Sequence, residues 1–106
     1  MIYNPLKEKL PSLGEGGLEA IVLAVQKRVQ YPLAAQQAGI SGRVFVSFMV
    51  DDAGYVGNVC IVKTASPLFN ATVLQAVGAL PRFTPGELSG APVDVFFTVP
   101  VTFRFQ

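Results

Sequence analysis

Few residues in this chain are of types that do chemistry. Asp51 and Asp52 are adjacent carboxylates, a pairing that acid–base catalysis exploits when two such groups flank one bond. They are followed by Ala53-Gly54, so they sit in turn chemistry, where neighbouring carboxylates point apart and serve the backbone. Cys60 is the single cysteine. A thiol attacks only as thiolate and needs a base or cation beside it; the chain has no histidine, and the nearest cation in sequence is Lys63. Gly14-Glu15-Gly16-Gly17 loosely resembles a phosphate-cradling loop, but it follows no strand and lacks the Lys-Ser/Thr pair that grips phosphate. Without histidine the commonest general base and metal ligand are missing. One cysteine makes neither an internal disulfide nor, alone, a structural zinc site. The expectation is a non-enzyme with no catalytic residues, no metal and no cofactor.

The 106 residues, 51% hydrophobic and 14% charged, fit one folded domain and exclude a disordered chain, which needs low hydrophobicity and high net charge. A net charge of +1 leaves no electrostatic footprint for nucleic acid or an anionic membrane. The longest uncharged run, residues 64–81, is broken by Ser66, Pro67, Asn70, Thr72, Gln75 and Pro81, whereas a spanning helix wants about 20 predominantly apolar residues. Met1-Ile2-Tyr3-Asn4-Pro5 lacks the basic start and apolar core of a signal peptide. The chain is therefore either cytoplasmic or a piece of a longer exported protein.

The elements that position everything else are legible from periodicity. Residues 1–17, rich in charge, Gly and Pro, read as a lead-in or linker end, poorly ordered unless docked; residues 18–106 read as the domain. Leu18, Ile21, Val22, Val25 and Val29 recur at helical spacing, with Glu19 and Lys27-Arg28 suiting the helix dipole, until Tyr31-Pro32 stops the helix. Residues 33–38 make a further short turn closed by Gly39. Residues 43–50 alternate as a strand, Asp51-Asp52-Ala53-Gly54 turns, and residues 56–63 return with Val59 and Ile61 on the buried side and Cys60 on the other. Ser66-Pro67 caps a second helix carrying Phe69, Val73, Ala76, Val77 and Leu80. After a connector over residues 82–92, residues 93–105 alternate strictly and predict one long strand with the odd positions buried.

Helix, strand, strand, helix, strand folds as an α+β domain: a three-stranded antiparallel sheet of order 2-1-3 with both helices on one face. The last strand is then an edge. Pro100 supports this independently, because proline donates no backbone hydrogen bond and is confined to edges. Its phase assigns the even positions to the outer side, so the free edge would offer backbone groups of Phe96, Thr98, Thr102 and Arg104 with a donor gap at Pro100. Pro100 reads either as a guard against aggregation or as one gap in a rail that docks an extended partner; the two are compatible.

At this point the residues resemble the TonB C-terminal domain family. The run Tyr31-Pro32-Leu33-Ala34-Ala35-Gln36-Gln37-Ala38-Gly39-Ile40-Ser41-Gly42-Arg43-Val44 is similar to its Tyr-Pro, short helix, Gly and valine-rich strand. Asp52-Ala53-Gly54-Tyr55-Val56 resembles its hairpin turn, and Leu80-Pro81-Arg82-Phe83-Thr84-Pro85-Gly86 with Gly90-Ala91-Pro92-Val93 its connector. Val99-Pro100-Val101-Thr102-Phe103 resembles its closing strand. Pro11 through Gly17 is similar to the Gly-rich entry of Bacteroidetes-type members. The resemblance spans residues 11–106.

It implies a periplasmic domain of an energy transducer of Gram-negative bacteria, anchored in the inner membrane and driven there by a proton-channel complex. Such a domain grips the TonB-box segment of an outer-membrane transporter by β-strand addition. By family, the added strand pairs with the last strand, here Val95, Phe96, Phe97, Thr98, Val99, Pro100, Val101, Thr102, Phe103, Arg104 and Phe105. Further contacts come from the stretch ahead of Tyr-Pro, here Lys27-Arg28-Val29-Gln30, so Arg28 and Gln30 complete the implied partner-binding set. The family's anchor and Pro-rich spacer are not in this sequence, which reads as an excised domain or as a short stand-alone protein beginning at Met1. Lys27-Arg28-Val29-Gln30 replaces a stretch often Gln-rich in the family, and Asn70 stands where many members carry an acid.

Read for packing alone, Phe83, Tyr31 and Phe69 belong to core or connector, and Arg28, Arg82 and Arg104 are solvated charges, with Arg104 the best candidate exception. The sheet face carrying Phe45, Met49, Cys60 and Phe96 is apolar enough to associate with another surface or with itself. A homodimer through the last strand competes for the same backbone groups, and a structural or cell-wall-associated module that binds no transporter is the alternative reading.

Overall fold

The computed structural model of the protein describes residues 8–105; the opening of the expected lead-in, residues 1–7, and residue 106 lie outside the described residues. The elements in order are β1 (Glu8–Lys9), α1 (Gly17–Arg28), α2 (Leu33–Gln37), β2 (Gly42–Val50), β3 (Val56–Thr64), a 3-10 turn (Pro67–Phe69) running into α3 (Asn70–Gly78), β4 (Gly86–Leu88), β5 (Ala91–Val93) and β6 (Val95–Phe103). Among the described residues no helix is long and apolar enough to cross a membrane.

The main sheet is antiparallel throughout, in spatial order β3-β2-β6, which is the expected 2-1-3 arrangement. Alternation decides which face is inside. Val44, Val46, Phe48 and Val50 of β2 and Phe97, Val99, Val101 and Phe103 of β6 point into the core, where Ile21 and Val25 of α1 and Phe69, Val73 and Val77 close it. The opposite face carries Phe45 and Met49, half-buried, and Cys60 and Phe96, exposed. Ser66 caps the turn into α3: its Oγ accepts from the Leu68 amide at 3.2 Å, with Pro67 at the first helical position.

Two expectations are corrected. The alternation over residues 93–105 builds a strand only from Val95 to Phe103. At its start Val93 pairs with Gly86 instead, and the carboxylate of the intervening Asp94 accepts the Asp52 amide at 2.9 Å, so the chain bends. At its end the partner runs out: β2 begins at Gly42, whose partner is Phe103. Alternation records hydrophobic phase, and that phase outlasts the ladder at both ends; burial does not follow it, since Val93 is only half-buried and Phe105 is exposed. The connector, in turn, is not a bare loop. Residues 86–93 form a hairpin, β4 with β5, turning through Ser89 and Gly90 at φ +52° and +83°, the paired positive angles of a type I′ turn. Glu8 and Lys9 of β1 add to β4 to make a second antiparallel sheet, and Ser12 bridges Thr84.

Candidate functional site

Two edges bound the main sheet, and they differ in regularity. Pairing of β2 with β3 slips twice, between Phe45 and Val46 and between Ser47 and Met49; Asn58 takes a positive φ of +50° at the second slip. Bulges of this kind twist an edge and interrupt its pairing groups. Pairing of β2 with β6 runs without a slip from Gly42↔Phe103 to Val50↔Val95. Of the two edges, β6 is the one whose backbone groups keep a regular spacing.

The side of β6 that faces away from β2 is fixed by Thr102. Its amide donates to Gln26 Oε1 at 3.0 Å and its carbonyl accepts from Gln26 Nε2 at 2.8 Å, so neither group bonds to β2. Strand alternation then points the amide and carbonyl of Phe96 and Thr98, and the carbonyl of Pro100, the same way. The proline sits in the outward set, where a missing donor breaks no ladder bond. Thr102 itself overturns one expectation: its outward groups are not free, because a side chain from α1 takes both. Nothing in the local sequence of β6 announces that contact, which joins residues 76 apart. A signal did lie in α1. Gln26 falls four residues after Val22 and three before Val29, a polar interruption on the apolar helical face.

α1 runs beside this edge. Leu18, Val22 and Leu23 flank an open, mostly apolar groove of about 410 Å³ beside Pro100; Leu18 and Leu23 are themselves more than half exposed. A second groove of about 580 Å³ continues past Gln26 between Val29, Tyr31 and residues 102–104. A strand laid against β6 would therefore find apolar helix surface on the core side and the exposed ring of Phe96, 67% accessible, on the other.

The remaining expected site residues separate by depth. Phe97, Val99, Val101 and Phe103 are core, Val95 is half-buried, and Thr98, Arg104 and Phe105 are exposed, the last two beyond the strand end. Phe105 stacks on Tyr31 at 5.4 Å between centroids. Arg28 is exposed and its Nη1 donates to Ala24 O at 2.8 Å within its own helix. The Gln30 amide donates to Thr72 Oγ1 at 2.8 Å, tying it toward α3. From the stretch after Val25 it is thus Gln26, rather than Arg28 or Gln30, that reaches the β6 edge.

Tyr31 locks helix to strand. It meets Phe69 and Phe103 edge-on at 5.9 and 5.6 Å, Phe69 and Phe103 stack at 4.1 Å, and its hydroxyl donates to the Ile40 carbonyl. The hairpin turn has a structural role: Asp51 Oδ1 accepts the Ala53 and Tyr55 amides, each at 2.9 Å. Arg82 Nε donates to Ala53 O at 2.7 Å and its guanidinium lies 4.8 Å from the Tyr55 ring centre.

Comparison with known proteins gives a consistent picture. The family model described as Gram-negative bacterial TonB protein C-terminal matches residues 27–105. No curated protein sequence matches the chain. Among solved structures, a solution structure of the Helicobacter pylori TonB C-terminal domain is 27% identical, with a TM-score of 0.61 over 86% of this chain and 96% of that one. A solution structure of the Pseudomonas aeruginosa TonB C-terminal domain is also 27% identical, with a TM-score of 0.61 over 93% of this chain and 87% of that one. A second Helicobacter pylori structure, 24% identical at a TM-score of 0.63, shares the fold.

Proposed function

The chain belongs to the family of Gram-negative bacterial TonB C-terminal domains, and from that premise we propose that it is the periplasmic, non-catalytic end of an energy transducer, binding the TonB-box segment of an outer-membrane transporter by strand addition to β6. The observation that carries the reading is the contrast between edges: β6 is paired to β2 without a slip over its length while β3 is bulged twice. An added strand needs evenly spaced donors and acceptors, and β6 supplies both at Phe96 and Thr98 and an acceptor at Pro100. A proton-channel complex acting through an inner-membrane anchor supplies the force in this reading. Strands pulled along their length load several hydrogen bonds together, which suits force transfer even where affinity is low. Four or five such bonds at about 0.5–1.5 kcal/mol net each, less the ordering of the peptide, give micromolar binding or weaker.

Calorimetric titration with synthetic peptides covering transporter TonB boxes tests this. Binding by the native chain with at least about tenfold loss in Thr98→Pro, which removes one outward donor, is the expected result. Equal binding by both chains would place the peptide elsewhere. Concentration-dependent mass with no response to any peptide would instead favour a dimerisation module.

A further inference from the structure

Among the described residues, Gln26 is a side chain that bonds the outward backbone of β6. It is half-buried on a helix anchored by the buried Ile21 and Val25, and its carboxamide donates to and accepts from the same residue, Thr102. A carboxamide has the donor and acceptor of a peptide unit, so this reciprocal pair reproduces what one residue of an added antiparallel strand would make with Thr102. We propose that Gln26 is a register stop: it stands in for the partner's backbone opposite Thr102 and confines an added strand to residues 96–100.

The inference rests on the strand-addition reading and deepens it by fixing where the partner strand must lie. Pro100 offers only a carbonyl and Thr102 offers nothing while Gln26 holds it. Among the described residues, the outward backbone groups of β6 left open are therefore the amide and carbonyl of Phe96 and of Thr98, and the carbonyl of Pro100. A partner that ran on past Thr102 would have to expel Gln26, exchanging two hydrogen bonds for two others with no net gain, and would still have to order its own extra residues. The stop thus selects a short extended segment and sets its register: the residue facing Pro100 donates its amide, and the next outward position is closed. Leu18 and Leu23, exposed beside Pro100, then meet the inward-facing side chains of the segment, which favours apolar residues at those alternate positions.

Two measurements on the full chain test this. Without any partner, hydrogen exchange of the Thr102 amide should be slow in the native protein and about tenfold or more faster in Gln26→Ala and Gln26→Glu, with protection at Val99 and Val101 unchanged. The glutamate variant keeps an acceptor but presents a carboxylate to the Thr102 carbonyl, so it separates loss of the reciprocal pair from loss of bulk. In the second measurement, TonB-box peptides of about five and about nine residues are titrated while backbone amide shifts are followed. In the native chain both peptides should shift residues 96–100 and leave the Thr102 amide in place. In Gln26→Ala the longer peptide should extend its footprint through Thr102 and Arg104 and bind about tenfold tighter, while the shorter binds as before. A native footprint already covering Thr102, or a gain shared by both peptide lengths, would overturn the register stop while leaving strand addition intact. Absence of any shift along β6 in either chain would overturn strand addition itself, and with it the stop.

Discussion

Gly54 shows how closely single atoms are fitted in this domain. Its φ is +92°, and a Cβ built there would lie 2.1 Å from the Phe83 carbonyl oxygen, the residue whose amide donates to Gly54 O at 2.8 Å. Gly54→Ala should therefore cost about 2–4 kcal/mol, from strained backbone together with a backbone clash, readable as a lower denaturant midpoint. At Tyr31 two contributions separate. Tyr31→Phe loses the hydroxyl donated to Ile40 and should cost about 1 kcal/mol. Tyr31→Ala also empties the ring contacts with Phe69, Phe103 and Phe105 and should cost about 3 kcal/mol or more; equal losses in both variants would mean the ring packing contributes little. What was legible at this scale was local. Ser66-Pro67 announces its cap and Asp51 through Gly54 announce their turn, because their partners lie within a few residues. The pairing of Gln26 with Thr102 was not, because it exists only once a helix and a strand 76 residues apart have docked.

Among the elements, the two edge strands carry the argument. Pro100 alone gave the phase of β6 correctly, since proline is tolerated only where its missing donor faces outward. The first bulge of β3 left no such mark, since Val62 is an ordinary strand residue; the second falls at Gly57-Asn58, a pair depleted in strands with an asparagine suited to positive φ, so that slip was marked in the sequence. Proline substitution turns the phase into an experiment. Thr98→Pro should leave the unfolding free energy within about 1 kcal/mol of native, because its amide faces away from β2. Val99→Pro removes an inward ladder bond and should cost about 3 kcal/mol or more. The opposite ranking would mean the outward set has been assigned to the wrong parity. The same alternation over-extended the strand to residues 93–105, because hydrophobic phase persists through Asp94 and Phe105 after the hydrogen-bonding partner has gone.

For the molecule as a whole, the second sheet is the feature the sequence concealed, since strands of two and three residues are too short for periodicity to register. It joins the chain on the approach to α1 to the approach to β6. Gly86 is enclosed within it: a Cβ there would meet Pro11 Cδ at 2.8 Å, Lys9 O at 3.0 Å and Val95 Cγ2 at 3.0 Å. Gly86→Ala should speed amide exchange at Ser12 and Thr84, which bond each other at 3.0 and 2.9 Å, while exchange in β2 stays slow. Matched acceleration in β2 would show the two sheets to be one cooperative unit. Isotope-filtered NMR of the complex with a TonB-box peptide shows whether β6 receives an extended partner along its outer side. Cross-strand contacts from peptide backbone protons to Phe96, Thr98 and Pro100 are the expected result. Contacts to β3, or to helix surface with none to the β6 backbone, would contradict it.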